Sequence, residues 1–203
     1  MTKGQNREII LASASAIRAE MLRKAGLQID TAPTRIDEDS IRASLVAQGA
    51  LARDIADKLA EAKAIKTSQK HPNALVIGAD QILECEGKIF AKPETADQAD
   101  EHLATLSGKM HKLHSAAVVA QDGRPIWRHV GSVRLTMHEI SPAYRADYVA
   151  RNWETIRHAV GCYLIEAEGI RLFSRIEGDF FNILGLPLTE LLTWLRIRGD
   201  IAA

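Results

Sequence analysis

The chain has 203 residues, enough for one large α/β domain or for two lobes sharing a sheet. Its hydrophobic fraction of 46% and charged fraction of 26% are those of an ordinary globular protein, and 26 basic residues balance 26 acidic ones. That balance excludes a generalised attraction to nucleic acid or to an anionic membrane, while leaving room for a local basic cleft.

The N-terminal segment MTKGQNREIILASAS has an apolar core of only four residues, Ile9 to Ala12. That is too short for a leader, and no run elsewhere approaches the length of a membrane span. Cys85 and Cys162 fit neither a metal spacing nor a disulfide framework, so free thiols in a reducing compartment are expected. These features predict a cytoplasmic protein with no membrane partner.

In chain order, Glu8 to Ala12 reads as a short strand. Ser15 is placed to cap a helix running to Ala25, with Ile17, Met21 and Leu22 inward and Gly26 stopping it. The polar stretch TRIDEDSIR reads as a loop. Leu51, Ile55, Leu59 and Ala62 then form a stripe at helical spacing over about residues 51–66, with Asp54 and Lys58 as a surface pair and Lys63 at the edge of the stripe. ALVIGAD opens a buried strand, and a hairpin turn centred on Glu86-Gly87 brings the chain back to Lys92-Pro93.

Thr95 is the cap of a further helix with Ala99, Leu103 and Leu106 inward, ended by Ser107-Gly108. Strands are expected over residues 114–120 and 126–137, joined by a turn at residues 121–124. Ser141-Pro142 starts a helix expected to end near Arg151-Asn152. Two more strands are expected, over residues 162–166 and 169–175, and a last helix over 188–198 is stopped by Gly199. No repeat, low-complexity tract or linker divides the chain. Hairpins mixed with crossover helices imply a mixed, twisted sheet flanked by helices.

The chemistry concentrates at a few places. Asp80 leaves a strand that looks buried on both faces, behind Gly78 and Ala79, which are small enough for something to approach the backbone. A carboxylate there can hold a divalent cation or take a proton from water; the alternative is a solvated loop aspartate. LASASAIRAEML places two serines and Arg18 at a helix start, a reasonable phosphate cradle; the alternative is plain capping by Ser15. Lys63 and Lys92 can reach phosphate oxygens as point charges. Asp37, Glu38 and Asp39 can supply a metal ligand or simply solvate a loop. His111 and His114 are discounted as a metal pair, because a spacing of three in a strand sends them to opposite faces. Together these features fit a phosphate-rich small ligand with a divalent ion, and not a polymer-binding surface.

The ordered blocks LASAS with Arg18, AGL, DED, LAEAKA, GADQ, KPET, LSGKMH, GCYLIEAEG, RIEGD and GLPL run through nearly the whole chain. In them the chain resembles the Maf-like nucleoside triphosphate pyrophosphatases. The resemblance implies a single domain of residues 1–203 with an elongated α/β fold, two lobes sharing one sheet around a deep cleft, like inosine triphosphate pyrophosphatases, and often a homodimer. It implies hydrolysis of a nucleoside triphosphate between the α and β phosphates, to monophosphate and pyrophosphate, with Mg²⁺ or Mn²⁺, as house-cleaning of non-standard nucleotides.

By the same resemblance Asp80 is the catalytic carboxylate, as base, metal ligand or both, and Glu38 shares the metal. Ser13, Ser15, Arg18, Lys63 and Lys92 are substrate-binding positions, with Asp80 and Lys92 facing one another across the phosphates. Ile17, Gln81 and Glu166 fall at specificity positions. Relatives acting on 7-methyl-GTP carry an aromatic, Gln and Glu there; those preferring dTTP and UTP carry Arg, Thr and Gln. This chain matches the first set at Gln81 and Glu166 but lacks the aromatic, which leans the expectation toward a modified purine. The alternatives are a 7-methyl-GTP-selective enzyme and a nucleotide-binding regulator of cell division.

Overall fold

The computed structural model describes residues 7–201. Residues 1–6, which carry part of the N-terminal segment weighed above as a leader, lie outside the described residues. The described part contains strands β1 (Ile9–Leu11), β2 (Asp30–Thr31), β3 (Leu75–Cys85), β4 (Lys88–Phe90), β5 (Met110–Gln121), β6 (Arg124–Met137) and β7 (Phe173–Glu177). Its helices are α1 (Ala16–Lys24), α2 (Glu38–Ala47), α3 (Ala52–Ser68), α4 (Ala96–Leu106), α5 (Pro142–Ile156), α6 (Phe180–Ile183) and α7 (Leu188–Arg198), with a 3-10 turn at Glu168–Leu172. The strand order is β2-β1-β3-β5-β6-β7, with β4 on β3, so the expected mixed α/β sheet is present.

The chain divides into two compact units. The first holds residues 7–81, Ser115–Gly131 and 179–201; the second holds Ile82–His114 and Ser132–Gly178. Strands β3, β5 and β6 contribute residues to both.

In the first unit β1 lies parallel to β2 and to β3, with Leu11 opposite Ile77. Alternation along these strands divides their side chains between two faces. Ile9, Leu11, Leu75 and Ile77 pack with Ala19 and Leu22 of α1 and Leu191 and Leu195 of α7, while Ile10, Ala12 and Val76 form a separate cluster. Gly78 is on the Val76 side, and α3 sits directly on it. A Cβ at Gly78 would stand 2.2 Å from the Ala60 carbonyl oxygen and 2.6 Å from the Ala64 nitrogen. The space that the sequence suggested for a ligand is filled by a helix.

In the second unit β3 and β4 form an antiparallel hairpin, with Cys85 opposite Lys88 and the turn made by Glu86 (φ 50°) and Gly87 (φ 79°). β6 pairs antiparallel with β7, with a bulge between Thr136 and Met137. Thr95 and Ser141 cap α4 and α5 by accepting from Gln98 N and Tyr144 N, and in the first unit left-handed Gly199 ends α7.

Several expectations need correction. TRIDEDSIR is not all loop: Asp37 accepts from Ser40 N and starts α2, whose first turn carries Glu38 and Asp39. Leu51 is not on the buried stripe of α3 but caps its start, 65% exposed, and Ala62 and Ile17 are only half-buried. Lys58 pairs with Glu61, at 2.9 Å. Helix α5 continues to Ile156. Residues 162–166 form no strand: Cys162 to Ile165 are apolar and largely buried, but Cys162 takes a left-handed φ of 57° that breaks an extended run. The strand expected at 169–175 starts only at Phe173, after the 3-10 turn. Among the described residues no helix is long and apolar enough to cross a membrane, and Cys85 and Cys162 are free and buried.

Candidate functional site

The site is assembled in the first unit, where the parallel pairing of β1 with β3 stops. Ser13 follows β1, whereas Asp80 lies within β3 rather than leaving it as the sequence suggested, just past the Leu11–Ile77 pair where the parallel ladder stops, and the open end of such a ladder is where α/β sheets gather ligands. Because Asp80 shares a face with Gly78, it points toward α3. Close packing of Ala60 and Ala64 on Gly78 places Lys63, between them in sequence, against that carboxylate. Lys63 Nζ donates to Asp80 Oδ1 at 2.6 Å and lies 3.0 Å from Glu38 Oε1. Lys63 and Asp80 are buried, at 7% and 6% exposure, whereas the Glu38 side chain is 40% exposed. The lysine is therefore within the buried stripe rather than at its edge, and Asp80 is not a solvated loop aspartate.

Arg18 supplies the second cationic group. Its Nε donates to the Gly185 carbonyl at 2.7 Å, and its Nη1 to Ser13 Oγ at 3.2 Å and to the Ala79 carbonyl at 3.0 Å. Left-handed Gly185 (φ 99°) is needed for this approach, since a Cβ there would come within 3.0 Å of Arg18 Nε. Burial pulls the Arg18 guanidinium below its ordinary pKa, and the charges of Asp80 and Glu38 act against that shift. Ser13, 8% exposed, also accepts from Ser15 N at 3.3 Å, while Ser15 Oγ accepts from Arg18 N. Two N–H groups of the suggested phosphate cradle are thus already engaged within the turn.

Gln81 faces the opposite side of β3 from Asp80. Its Nε2 donates to Ser115 Oγ at 2.9 Å and to the carbonyls of Asn182 and Ile183, each at 3.0 Å. Ile17 is half-buried on the first turn of α1. Lys92 and Glu166 belong to the second unit, both exposed, Lys92 after β4 and Glu166 in the turn before the 3-10 helix. There His111 Nε2 meets the Tyr163 hydroxyl at 2.8 Å and His114 Nδ1 meets Ser132 Oγ at 2.8 Å, so the two histidines have separate partners, as alternation requires. The sequence reading missed Gly185, Ser115 and Asn182. The motif GLPL contains Gly185, but nothing local to it names Arg18 as its partner.

The first unit thus presents two carboxylates and a lysine converging on one point, beside an arginine anchored to Ser13 after β1 and to Ala79 within β3: a mixed α/β chain with a charged constellation suited to an anionic ligand. Comparison with known proteins agrees with this class. The family described as "Maf-like protein" matches residues 8–197, and the chain belongs to that family. It is 55% identical over 193 residues to the nucleoside triphosphate pyrophosphatase of Roseobacter denitrificans, covering 95% of this chain and 97% of that one. The protein of the same name from Ruegeria pomeroyi is 53% identical with the same coverage. The 7-methyl-GTP pyrophosphatase of Mesorhizobium japonicum is 45% identical over 194 residues, covering 96% of this chain and 98% of that one.

Proposed function

We propose that this protein is a nucleoside triphosphate pyrophosphatase, a hydrolase that splits the anhydride between the α and β phosphates to release monophosphate and pyrophosphate. The observation that carries the reading is the buried convergence of Lys63 on Asp80 and Glu38, in a chain whose relatives bear that name. The polyphosphate tail is gripped by Lys63 and Arg18 of the first unit. These are cations suited to charge gathering on the leaving pyrophosphate. Asp80 takes the proton of the attacking water.

Mg²⁺ or Mn²⁺ belongs to the same proposal. Asp80 and Glu38 come together from two elements on Lys63 Nζ, and with that lysine turned to phosphate their oxygens would suit a hard cation that otherwise keeps waters and phosphate oxygens. Asp80 and Glu38 would be its protein ligands, with water and phosphate oxygens completing the set. When bound, the ion offsets phosphate charge and acidifies water. A homodimer acting in the cytoplasm on free nucleotides, away from nucleic acid, completes the reading.

A narrower reading, selectivity for 7-methyl-GTP, is favoured by Glu166 and by the Mesorhizobium relative. The test is a panel of triphosphates, including UTP, dTTP, GTP and 7-methyl-GTP, incubated with Mn²⁺ and resolved by chromatography. Monophosphate and pyrophosphate are expected from several bases. Orthophosphate and diphosphate would overturn the bond assignment, and turnover of 7-methyl-GTP alone would establish the narrower reading.

A further inference from the structure

Gln81 follows Asp80 in the sequence, which makes it a natural candidate for reading the base of a bound nucleotide. Its surroundings give it other work. Ser115, fully buried on β5, donates to the Asn182 carbonyl at 2.6 Å and accepts from Gln81 Nε2, which itself reaches the Asn182 and Ile183 carbonyls. These two carbonyls end α6, a helix of four residues that cannot hold its own geometry by propensity. At its other end Asp179 accepts from Asn182 N at 3.0 Å. The Asn182 side chain rests on Gly131, where a Cβ would stand 1.9 Å from Oδ1. Helix α6 is therefore fixed from three strands: β3 through Gln81, β5 through Ser115 and β6 through Gly131.

Two residues beyond Ile183, the Gly185 carbonyl accepts from Arg18 Nε at 2.7 Å. Gly185 N in turn bonds to the Asn182 carbonyl at 3.1 Å, the same oxygen that Gln81 and Ser115 hold. A continuous path of hydrogen bonds runs from Gln81 and Ser115 through the Asn182 carbonyl and Gly185 to the guanidinium.

We propose that Gln81 and Ser115 are positioning residues for Arg18, acting through the end of α6 and Gly185, and that Gln81 tunes the grip on the phosphate tail rather than contacting the base. This rests on the proposed function above, and adds that a residue at a specificity position acts on the part common to all triphosphates. Its amide donor is committed to carbonyls of the chain itself, and its neighbour in the strand, Asp80, points to the opposite face.

Inorganic tripolyphosphate, which has the tail and no base, separates the possibilities. Its binding is measured by calorimetry in magnesium buffer for the wild type, Gln81→Met, Ser115→Ala, Arg18→Ala and the double variant Gln81→Met/Arg18→Ala. Gln81→Met and Ser115→Ala are each expected to weaken tripolyphosphate about tenfold, the scale of one misplaced hydrogen bond to a charged group. The double variant should bind as Arg18→Ala alone, because the two changes act on one contact. The ratio of kcat/KM between purine and pyrimidine triphosphates should stay at its wild-type value in Gln81→Met. Wild-type tripolyphosphate affinity in Gln81→Met with a changed base ratio would overturn the inference, as would additive losses in the double variant. If Gln81→Met fails to fold, Ser115→Ala with Arg18→Ala decides the same question. Wild-type protein that neither binds tripolyphosphate nor hydrolyses any triphosphate would overturn the proposed function itself, and the inference with it.

Discussion

Lys63 Nζ lies 2.6 Å from Asp80 Oδ1, with both side chains more than nine-tenths buried, and the pair joins helix α3 to the middle of strand β3. A buried ion pair is held in place by the cost of breaking it: removing one partner leaves the other charge stranded. Lys63→Met is accordingly expected to destabilise the fold by about 3 kcal/mol, measured by urea denaturation. An unchanged midpoint would mean that Asp80 finds water or another partner when the lysine is removed.

Asp80→Asn keeps the shape of the side chain and removes the proton acceptor. Hydrolysis should fall by at least about a hundredfold while nucleotide binding stays within a few-fold of wild type. Product chromatography and calorimetry measure the two separately. Near-normal turnover would assign the proton transfer to another group.

Gly78→Ala places a methyl group where the backbone of α3 lies. Helix and strand must separate, at an expected cost of about 3 kcal/mol or more in stability, because a close-packed interface yields poorly. The helix carries Lys63, so residual folded protein should also lose activity. Wild-type stability would mean that α3 slides without penalty.

Arg18→Lys preserves the charge and loses the planar fork that meets Gly185, Ser13 and Ala79 together. A fall in kcat/KM of about tenfold or more, equal for all bases, is the expected result. Unequal losses across the panel would show that Arg18 senses the base.

Acid should weaken the second unit through His111. Burial among Tyr163 and Phe173 lowers its pKa to about 4 from an ordinary 6.5, and its Nδ1 is buried without a partner. The folded state keeps the ring neutral while the unfolded chain protonates, so the unfolded state binds more protons throughout that interval. Stability from this group is complete above about pH 6.5 and is lost as pH falls toward 4, by about 3 kcal/mol in total. His111→Gln or His111→Phe should flatten the pH dependence of the denaturation midpoint in that window. An unaltered slope would assign the acid sensitivity to other groups.

Elements whose cause is local could be read from the chain in advance. The caps at Ser15, Thr95 and Ser141, the hairpin turn at Glu86-Gly87 and the stop at Gly199 all follow from side chains bonding three residues away, or from positive φ at a turn. Helix α2 escaped because it buries no residue and so leaves no apolar stripe to find, although Asp37 followed by Glu38 and Asp39 is a good helix start. Residues 162–166 misled in the opposite way: an apolar run reads as a strand, but burial can be reached by an irregular path, and here left-handed Cys162 makes one.

By itself the sequence determined the alternation of strands and helices, the family, and which charged residues were worth watching. Those depend on periodicity, capping chemistry and ordered blocks along the chain. Tertiary structure alone decided that Lys63 faces inward onto Asp80, that Glu38 joins them from a helix, and that Gln81 is tied to α6. The partners lie 17 residues apart for Lys63 and Asp80 and 102 apart for Gln81 and Ile183. A hydrogen bond or ion pair of that kind exists only once the close packing of α3 on Gly78 and of α6 on Gly131 has brought the groups together and removed the water that would otherwise satisfy them.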